Sequence, residues 1–549
     1  MSHSFKHWWL AVGALLIGLC PVVARATEPG VSAGGHLVSA AWLKQHLGRP
    51  EVLVLDASPA RLHQSQHIPG AISAPLFTMG PRDVPQAQVQ DRLRAWGAGP
   101  KHRLVITDQG GTYLAARLFW DLLHHGMPPE QLALLDGGMA HWVSSGGVVT
   151  SNATPSPPAG EVRLQASDPT VRVMLPEFLA ATGDPQRQVA LEALDPTYFY
   201  GAAAFFNRAG HVPHARLMPA DDFYNADKTF KSADEIGRML KHLGIGPEQA
   251  IHTYCGGGGA AAVPFFALKF ILGYPRVTLF RESQLGWLQD DRELPVWTYA
   301  APYLLRDSAW LKPWNSPMLR AFGLSKLSII DVRPEAAFRQ GHLPHAVNVP
   351  AAVFEQSMLD LPGLARLLSA AGVPPDHEAV VFSEGGVNPA SAIAFWMLER
   401  VGQHKVSVFT DSIERWAELG HEVSTDGPAA RPEAGVGPGA LPPLLGSRAP
   451  GLYSGALPRL GAQLRQVVRA DGPSPSSGAA GQALVLRPDA LLTTQGLPKP
   501  AKEIWAAMSD ASISRYSELR LVASTPALAA MNYVVLRLMG MPDVAIWLP

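Results

Sequence analysis

Residues 251–272 read IHTYCGGGGAAAVPFFALKFIL. An apolar, β-prone run ends at Cys255, four glycines follow, and a long apolar stretch of helical composition takes over. Strand, tight loop, helix is the sequence form of a unit in a parallel sheet, where ligands collect at the carboxyl ends of strands. Two other segments have the same form, LVITDQGGTYLAARLFWDLL at 104–123 and VVFSEGGVNPASAIAFWMLE at 380–399. Aligned on their loops, they put Asp108 and Ser383 where this one has Cys255.

The similarity extends well beyond the loop. Upstream, 41 to 44 residues before these positions, each copy carries a His-(Ile/Val/Leu)-Pro-(Gly/His)-Ala motif, at His67, His211 and His342. Downstream, each ends in a further strand and a tryptophan, Trp142, Trp287 and Trp416. The histidine-to-tryptophan spacings are 75, 76 and 74 residues (67 to 142, 211 to 287, 342 to 416). A period held that closely is the mark of a repeated structural unit. A worn fourth copy is expected at the end of the chain, with LVLRPDALLTTQGLPKPAKEIWAAM at 484–508 set against the third copy's VRPEAAFRQGHLPHAVNVPAA and a middle section about 13 residues short. That alignment places Ser524 at the fourth loop.

Alternating strands and amphipathic helices call for an α/β fold, each unit a mainly parallel sheet with helices on both faces. The expected division is a leader at 1–26, units at 34–150, 161–299 and 300–424, a Pro/Gly/Ala-rich connector at 425–450, and the degenerate unit at 451–549. The 549 residues are too many for a single core, and 47% apolar against 17% charged residues suits globular folding. Forty-five basic and 46 acidic residues give a formal net charge of −1, which offers nothing to wrap nucleic acid or to dock on anionic lipid.

The leader reads as an export signal. Lys6 supplies the positive region, Trp8 to Leu19 the apolar one, and Ala24-Arg25-Ala26 a small-residue cleavage site. A periplasmic or otherwise exported protein is expected, with no membrane attachment after cleavage. Of the two cysteines, Cys20 would leave with the leader, so the mature chain would hold Cys255 alone and no internal disulfide.

A thiolate is the nucleophilic form of cysteine. Glycines 256 to 259 can curl so that successive N–H groups face the sulfur, and the following helix, beginning near Ala260, adds the positive end of its dipole. Both features would lower the thiol pKa. Gly256, Gly257, Gly258, Gly259 and Ala260 are therefore the candidate cradle for Cys255, and Arg208 is the candidate to hold an anionic donor.

With these motifs the first three units resemble the rhodanese homology domain, and the fourth looks like a degenerate one. Units one and two together resemble the tandem thiosulfate or 3-mercaptopyruvate sulfurtransferases, in which a silent first domain, often with Asp at the nucleophile position, packs on an active second. That resemblance implies sulfur transfer through a Cys255 persulfide, from a small sulfane donor to a thiol or cyanide acceptor or to a periplasmic acceptor protein, with no cofactor. The loop departs from the family: CGGGGAA holds neither the basic residues typical of thiosulfate enzymes nor the Gly-Ser pair of mercaptopyruvate enzymes. Glu192 and Leu194 stand where the third unit keeps Asp331 and Arg333.

A phosphatase reading is disfavoured, and a scaffold reading stays open. Phosphatases and arsenate reductases of related fold need an arginine six residues after the cysteine to clamp oxyanions, and Ala261 stands there. Alternatively the array is a non-catalytic scaffold or sulfur-carrier dock, since three of four loops lack the nucleophile. His211 is expected to pack against its own turn, and the three tryptophans to anchor cores. No Cys/His group has zinc-ligand spacing, and no GxxxxGK[ST] phosphate loop occurs.

Overall fold

The computed structural model describes residues 35–76, 83–426, 452–454, 465–472 and 484–548. Its strands form four five-stranded sheets. The first holds Leu37–Val38 (β1), Val52–Asp56 (β2), Ile72–Ser73 (β3), Arg103–Thr107 (β4) and Leu132–Leu135 (β5). The second holds Arg172–Val173 (β6), Gln188–Glu192 (β7), Arg216–Leu217 (β8), Ala250–Tyr254 (β9) and Val277–Phe280 (β10). Leu305–Arg306 (β11), Leu327–Asp331 (β12), Val347–Asn348 (β13), Glu378–Phe382 (β14) and Lys405–Phe409 (β15) make the third. Leu452–Ser454 (β16), Arg465–Arg469 (β17), Leu484–Val485 (β18), Glu518–Val522 (β19) and Val544–Leu548 (β20) make the fourth.

All four share one order, first-fifth-fourth-second-third, and every pairing between these strands is parallel. Parallel neighbours need crossovers long enough for helices, and these cover both faces. In the first sheet Leu104 and Ile106 join the core containing Phe119 and Trp120, while Val105 between them joins the core of Trp42 and Trp142. The α/β architecture is as the alternation of elements implied.

Helices join the units in pairs. Leu114–His124 (α1) packs on Ala262–Phe266 (α2), with Phe119 edge-on to Phe266 at 5.1 Å between ring centres. Pro389–Arg400 (α3) packs on Pro526–Leu538 (α4) in the same way. The second unit also meets the fourth: Tyr200 donates to the Met539 carbonyl at 3.0 Å, and Tyr516 to Asp222 at 2.6 Å. One apolar core accordingly runs through units two, three and four, and a second through units one and two.

The fourth unit corrects the alignment made from sequence. LVLRPD was expected to match the second strand of the third unit, but β18 is the third strand of its sheet and β17 the second. The confusion has a physical source. A proline-led helix start follows both the second and third strands of the third unit, at Pro334 and Pro350, so a strand followed by proline does not say which strand it is. With the strands placed correctly, the stretch between third and fourth strands is not shortened (486–517, against 349–377 in the third unit). The register also moves the loop position. Val522 pairs with Arg469 as Phe382 pairs with Asp331, so Ala523, not Ser524, corresponds to Ser383. The Ser524 N–H instead donates to Asp471 at 2.6 Å.

The leader with Cys20, and residues 427–450 of the expected connector, lie outside the described residues. Among the described residues no helix is long and apolar enough to cross a membrane.

Candidate active site

Cys255 directly follows β9, at the carboxyl edge of the second sheet. Its main chain is clamped by the loop after β10. The Cys255 N–H donates to Ser283 Oγ at 3.1 Å, and the carbonyls of Cys255 and Gly256 accept from the N–H groups of Gln284 and Leu285 at 2.9 and 3.0 Å. Ser283 holds this clamp from a left-handed conformation (φ 50°) with its Oγ bonded to the Phe280 carbonyl at 2.8 Å.

The loop then turns back on the sulfur. The Gly258 N–H points at Sγ at 3.1 Å, and the N–H groups of Gly257 and Ala261 also bond the sulfur. The cradle thus uses two of the five expected residues, with Ala261 as the third donor. Gly259 and Ala260 instead offer their carbonyls to the N–H groups of Ala262 and Val263 at 3.1 Å each. The helix starts at Ala262, two residues later than expected, and after five residues widens into a π-helical turn at Ala267–Ile271.

The expected fall in thiol pKa is reversed. Cys255 is 2% exposed, and burial pushes the thiol up from its ordinary value. The three amides act in the opposite direction and are outweighed, while the buried Glu192 carboxyl behind the loop adds to the rise. The sulfur thus sits in an amide cradle whose pull on the thiol is outweighed by burial.

Glu192 itself is fully buried, and burial lifts its pKa to about 8 against hydrogen bonds from Tyr254 and Gln284 (Nε2 to Oε2, 3.2 Å). The equivalent acids of the neighbouring units have basic partners: Asp56 meets His63 at 2.8 Å, and Asp331 meets Arg333 at 2.6 Å. Among the described residues Glu192 has no basic partner, and Leu194 stands where the third unit has Arg333.

Side chains wall the loop. A Cβ on Gly256 would come 2.6 Å from the Phe205 ring, and one on Gly259 would come 2.6 Å from the Tyr113 ring. A Cβ on Gly258 would overlap the Arg281 carbonyl and stand 2.9 Å from Arg117 Nη1. Gly257 alone has open space beside it and is the exposed member of the four. Tyr113 and Arg117 belong to the first unit, so the cysteine-less unit builds part of the wall.

Arg208 does not join this wall among the described contacts. Its Nη1 donates to the Leu294 carbonyl at 2.9 Å, a local brace. His211 packs on its own turn as expected: it bonds the Phe199 carbonyl at 2.7 Å and stacks on that ring at 3.5 Å. Burial lowers its pKa to about 3, which keeps it neutral and out of proton transfer near neutral pH. Trp142, Trp287 and Trp416 are buried, each indole N–H tied to a carbonyl, of Val148, Pro295 and Glu422. The other loops hold no thiol: Asp108 accepts from the N–H groups of Gly110 and Ala115, and Ser383 accepts from Asn388 at 2.6 Å.

Sequence reasoning missed Ser283, Gln284, Ala261, Tyr113, Arg117 and Phe205. Only Ala261 had a local signal, its place in the turn after the glycines. The rest reach the loop across the fold.

The model of the rhodanese-like domain matches residues 39–145 and 318–419, the first and third units. These two units carry rhodanese-like domains. A probable 3-mercaptopyruvate sulfurtransferase of Pseudomonas aeruginosa is 29% identical over 295 residues, 48% of this chain and 99% of the relative. The 3-mercaptopyruvate sulfurtransferase of Escherichia coli is 27% identical over 277 residues, 46% of this chain and 94% of its own length. The solved structure of the 3-mercaptopyruvate sulfotransferase SseA from Escherichia coli is 25% identical, covers 45% of this chain and 98% of that one, and has a TM-score of 0.41. Just under half of this chain therefore spans nearly the whole of each of these two curated relatives.

Proposed function

We propose that this chain moves a sulfane sulfur through a persulfide on Cys255. The observation that carries the reading is the convergence of the Gly257, Gly258 and Ala261 N–H groups on one cysteine sulfur, in a loop whose three counterparts have Asp108, Ser383 and Ala523. An amide cradle of this kind stabilises a sulfur anion, first the thiolate and then the terminal sulfur of the persulfide.

In the first half-reaction the thiol gives up its proton and the thiolate attacks the transferable sulfur of the donor. With thiosulfate the S–S bond breaks and sulfite leaves with the bonding pair. With 3-mercaptopyruvate the C–S bond breaks and pyruvate leaves as its enolate. In the second half-reaction an acceptor thiolate or cyanide takes the terminal sulfur, and Cys255 departs as the thiolate. Because burial raises the thiol, the first step should quicken as pH rises. The leader supports export to the periplasm, where a small thiol, cyanide or a sulfur-acceptor protein would complete the cycle.

Incubation with thiosulfate or 3-mercaptopyruvate followed by intact mass is the test. Gain of one sulfur atom, lost on adding a thiol and absent in Cys255→Ser, supports transfer. No adduct from either donor, with Cys255 still open to alkylation, favours the scaffold reading and overturns this one.

A further inference from the structure

Glu192 ends β7 directly opposite Tyr254, the residue before Cys255, and its side chain is wholly buried. The groups that bond it also support the cysteine loop. The Tyr254 hydroxyl bonds the carboxyl and accepts from the Val212 N–H at 3.2 Å. Gln284 Nε2 donates to Glu192 Oε2 at 3.2 Å and to the Gly210 carbonyl at 3.0 Å. The main-chain N–H of the same Gln284 donates to the Cys255 carbonyl at 2.9 Å. From its own strand end, the Leu194 N–H reaches Oε1 at 3.4 Å. The titratable groups that interact with Glu192 among the described residues are therefore Tyr254 and Cys255, both acids, with no cation beside them. The matching acids of the first and third units, Asp56 and Asp331, each have a basic partner, and neither of those loops has a cysteine. The acid without a cation and the thiol occur in the same unit.

We propose that Glu192 is a positioning residue for the Cys255 reaction: its carboxyl keeps its proton between Tyr254 and Gln284, so that the one negative charge of the site forms on the sulfur. The inference rests on the persulfide reading and adds a control to it. Two buried acids in one low-dielectric region repel when both are ionised, and here no cation softens the repulsion. Whichever ionises first raises the other, so the carboxyl and the thiol titrate as a coupled pair. While Glu192 is protonated, the three loop amides act on a sulfur with no competing charge behind it. Once Glu192 ionises, its carboxylate opposes the thiolate, and the gain in nucleophile with rising pH is curbed. The same opposition applies to the anionic terminal sulfur of a persulfide held in that cradle.

The rate at which neutral iodoacetamide alkylates Cys255, read by peptide mass across a pH series, reports the thiolate itself. Glu192→Gln keeps the size and hydrogen-bonding capacity of the protonated acid and cannot ionise. It should match wild type near pH 6 and react about tenfold faster near pH 9, the effect of about one pK unit of coupling. Leu194→Arg, which offers the carboxyl a partner on the pattern of Asp331 and Arg333, should also speed the reaction near pH 9 by neutralising the carboxylate. Melting curves at both pH values establish that each chain is folded. A loosened loop would instead speed alkylation equally at both pH values. A Glu192→Gln to wild-type ratio that is the same near pH 6 and pH 9 therefore overturns the assignment, even where thiosulfate still adds sulfur to Cys255. A ratio that rises with pH in a chain that never gains sulfur would support the coupling and count against the persulfide reading alone.

Discussion

Four consecutive glycines look interchangeable, yet the structure gives Gly257 and Gly258 opposite tolerance for a methyl group. Gly258 has φ +81°, and a Cβ there would meet both the Arg281 carbonyl and Arg117 Nη1. The left-handed conformation alone costs an L-residue about 1–2 kcal/mol. Relief of the overlap needs backbone movement, typically about 1–3 kcal/mol more, so Gly258→Ala should cost about 2–5 kcal/mol locally. The movement falls on the amide that points at Sγ, so sulfur loading should drop along with stability. Gly257 has an ordinary φ and nothing within 4 Å of its Cβ position. Gly257→Ala should be neutral or stabilising by up to about 1 kcal/mol through the unfolded chain. Thermal melts read the stability, and persulfide formation followed by mass spectrometry reads the cradle. Equal effects at the two positions, or a Gly258→Ala chain that melts and loads like wild type, would refute the loop geometry.

Glu192 should set a pH dependence of stability. Its folded pKa, about 8, lies above the ordinary 4.5, so the stability held by the protonated form is full below 4.5 and is lost as pH rises through 8, at up to about 1.4 kcal/mol per pH unit. Glu192→Gln should flatten that slope in denaturant melts between pH 5 and 8, scanned on both sides of neutrality; a slope unchanged by the substitution would count against it. Arg333→Met strands the fully buried Asp331 and should cost about 3–5 kcal/mol, read as a lower melting temperature. Gly386→Val should loosen the junction of units three and four, because a side chain there meets the Gly496 carbonyl at 2.7 Å from a φ of +67°. Hydrogen exchange at Val387, whose N–H bonds that carbonyl at 2.7 Å, should then accelerate.

The architecture was legible because each core strand is buried on both faces and ends in a loop of fixed place, so strand, loop and tryptophan recur at a near-constant period. His211 and the three tryptophans were legible for a related reason, since their partners lie within their own unit. What sequence missed depends on contacts between units or on registers without a local code. Tyr113 and Arg117 are ordinary residues of an apolar helix until α1 is laid against α2. The third strand of the fourth unit was mistaken for the second because proline follows both. The thiol pKa was misjudged because the loop composition shows the amides but not the burial that outweighs them. Glu192 was noticed as a departure, but its neutral surroundings emerge only with Tyr254 and Gln284 in place.

The two apolar cores have a practical consequence for anyone dissecting the chain. Both include residues of the second unit, so that unit is the shared wall of the whole assembly. A truncation at residue 299 would remove the fourth unit's Met539 and Tyr516, which bond Tyr200 and Asp222. It would also bare the second unit's part of the longer core. Such a fragment would present a fresh sticky face to its own copies. The third and fourth units cover an apolar face of the cysteine-bearing unit.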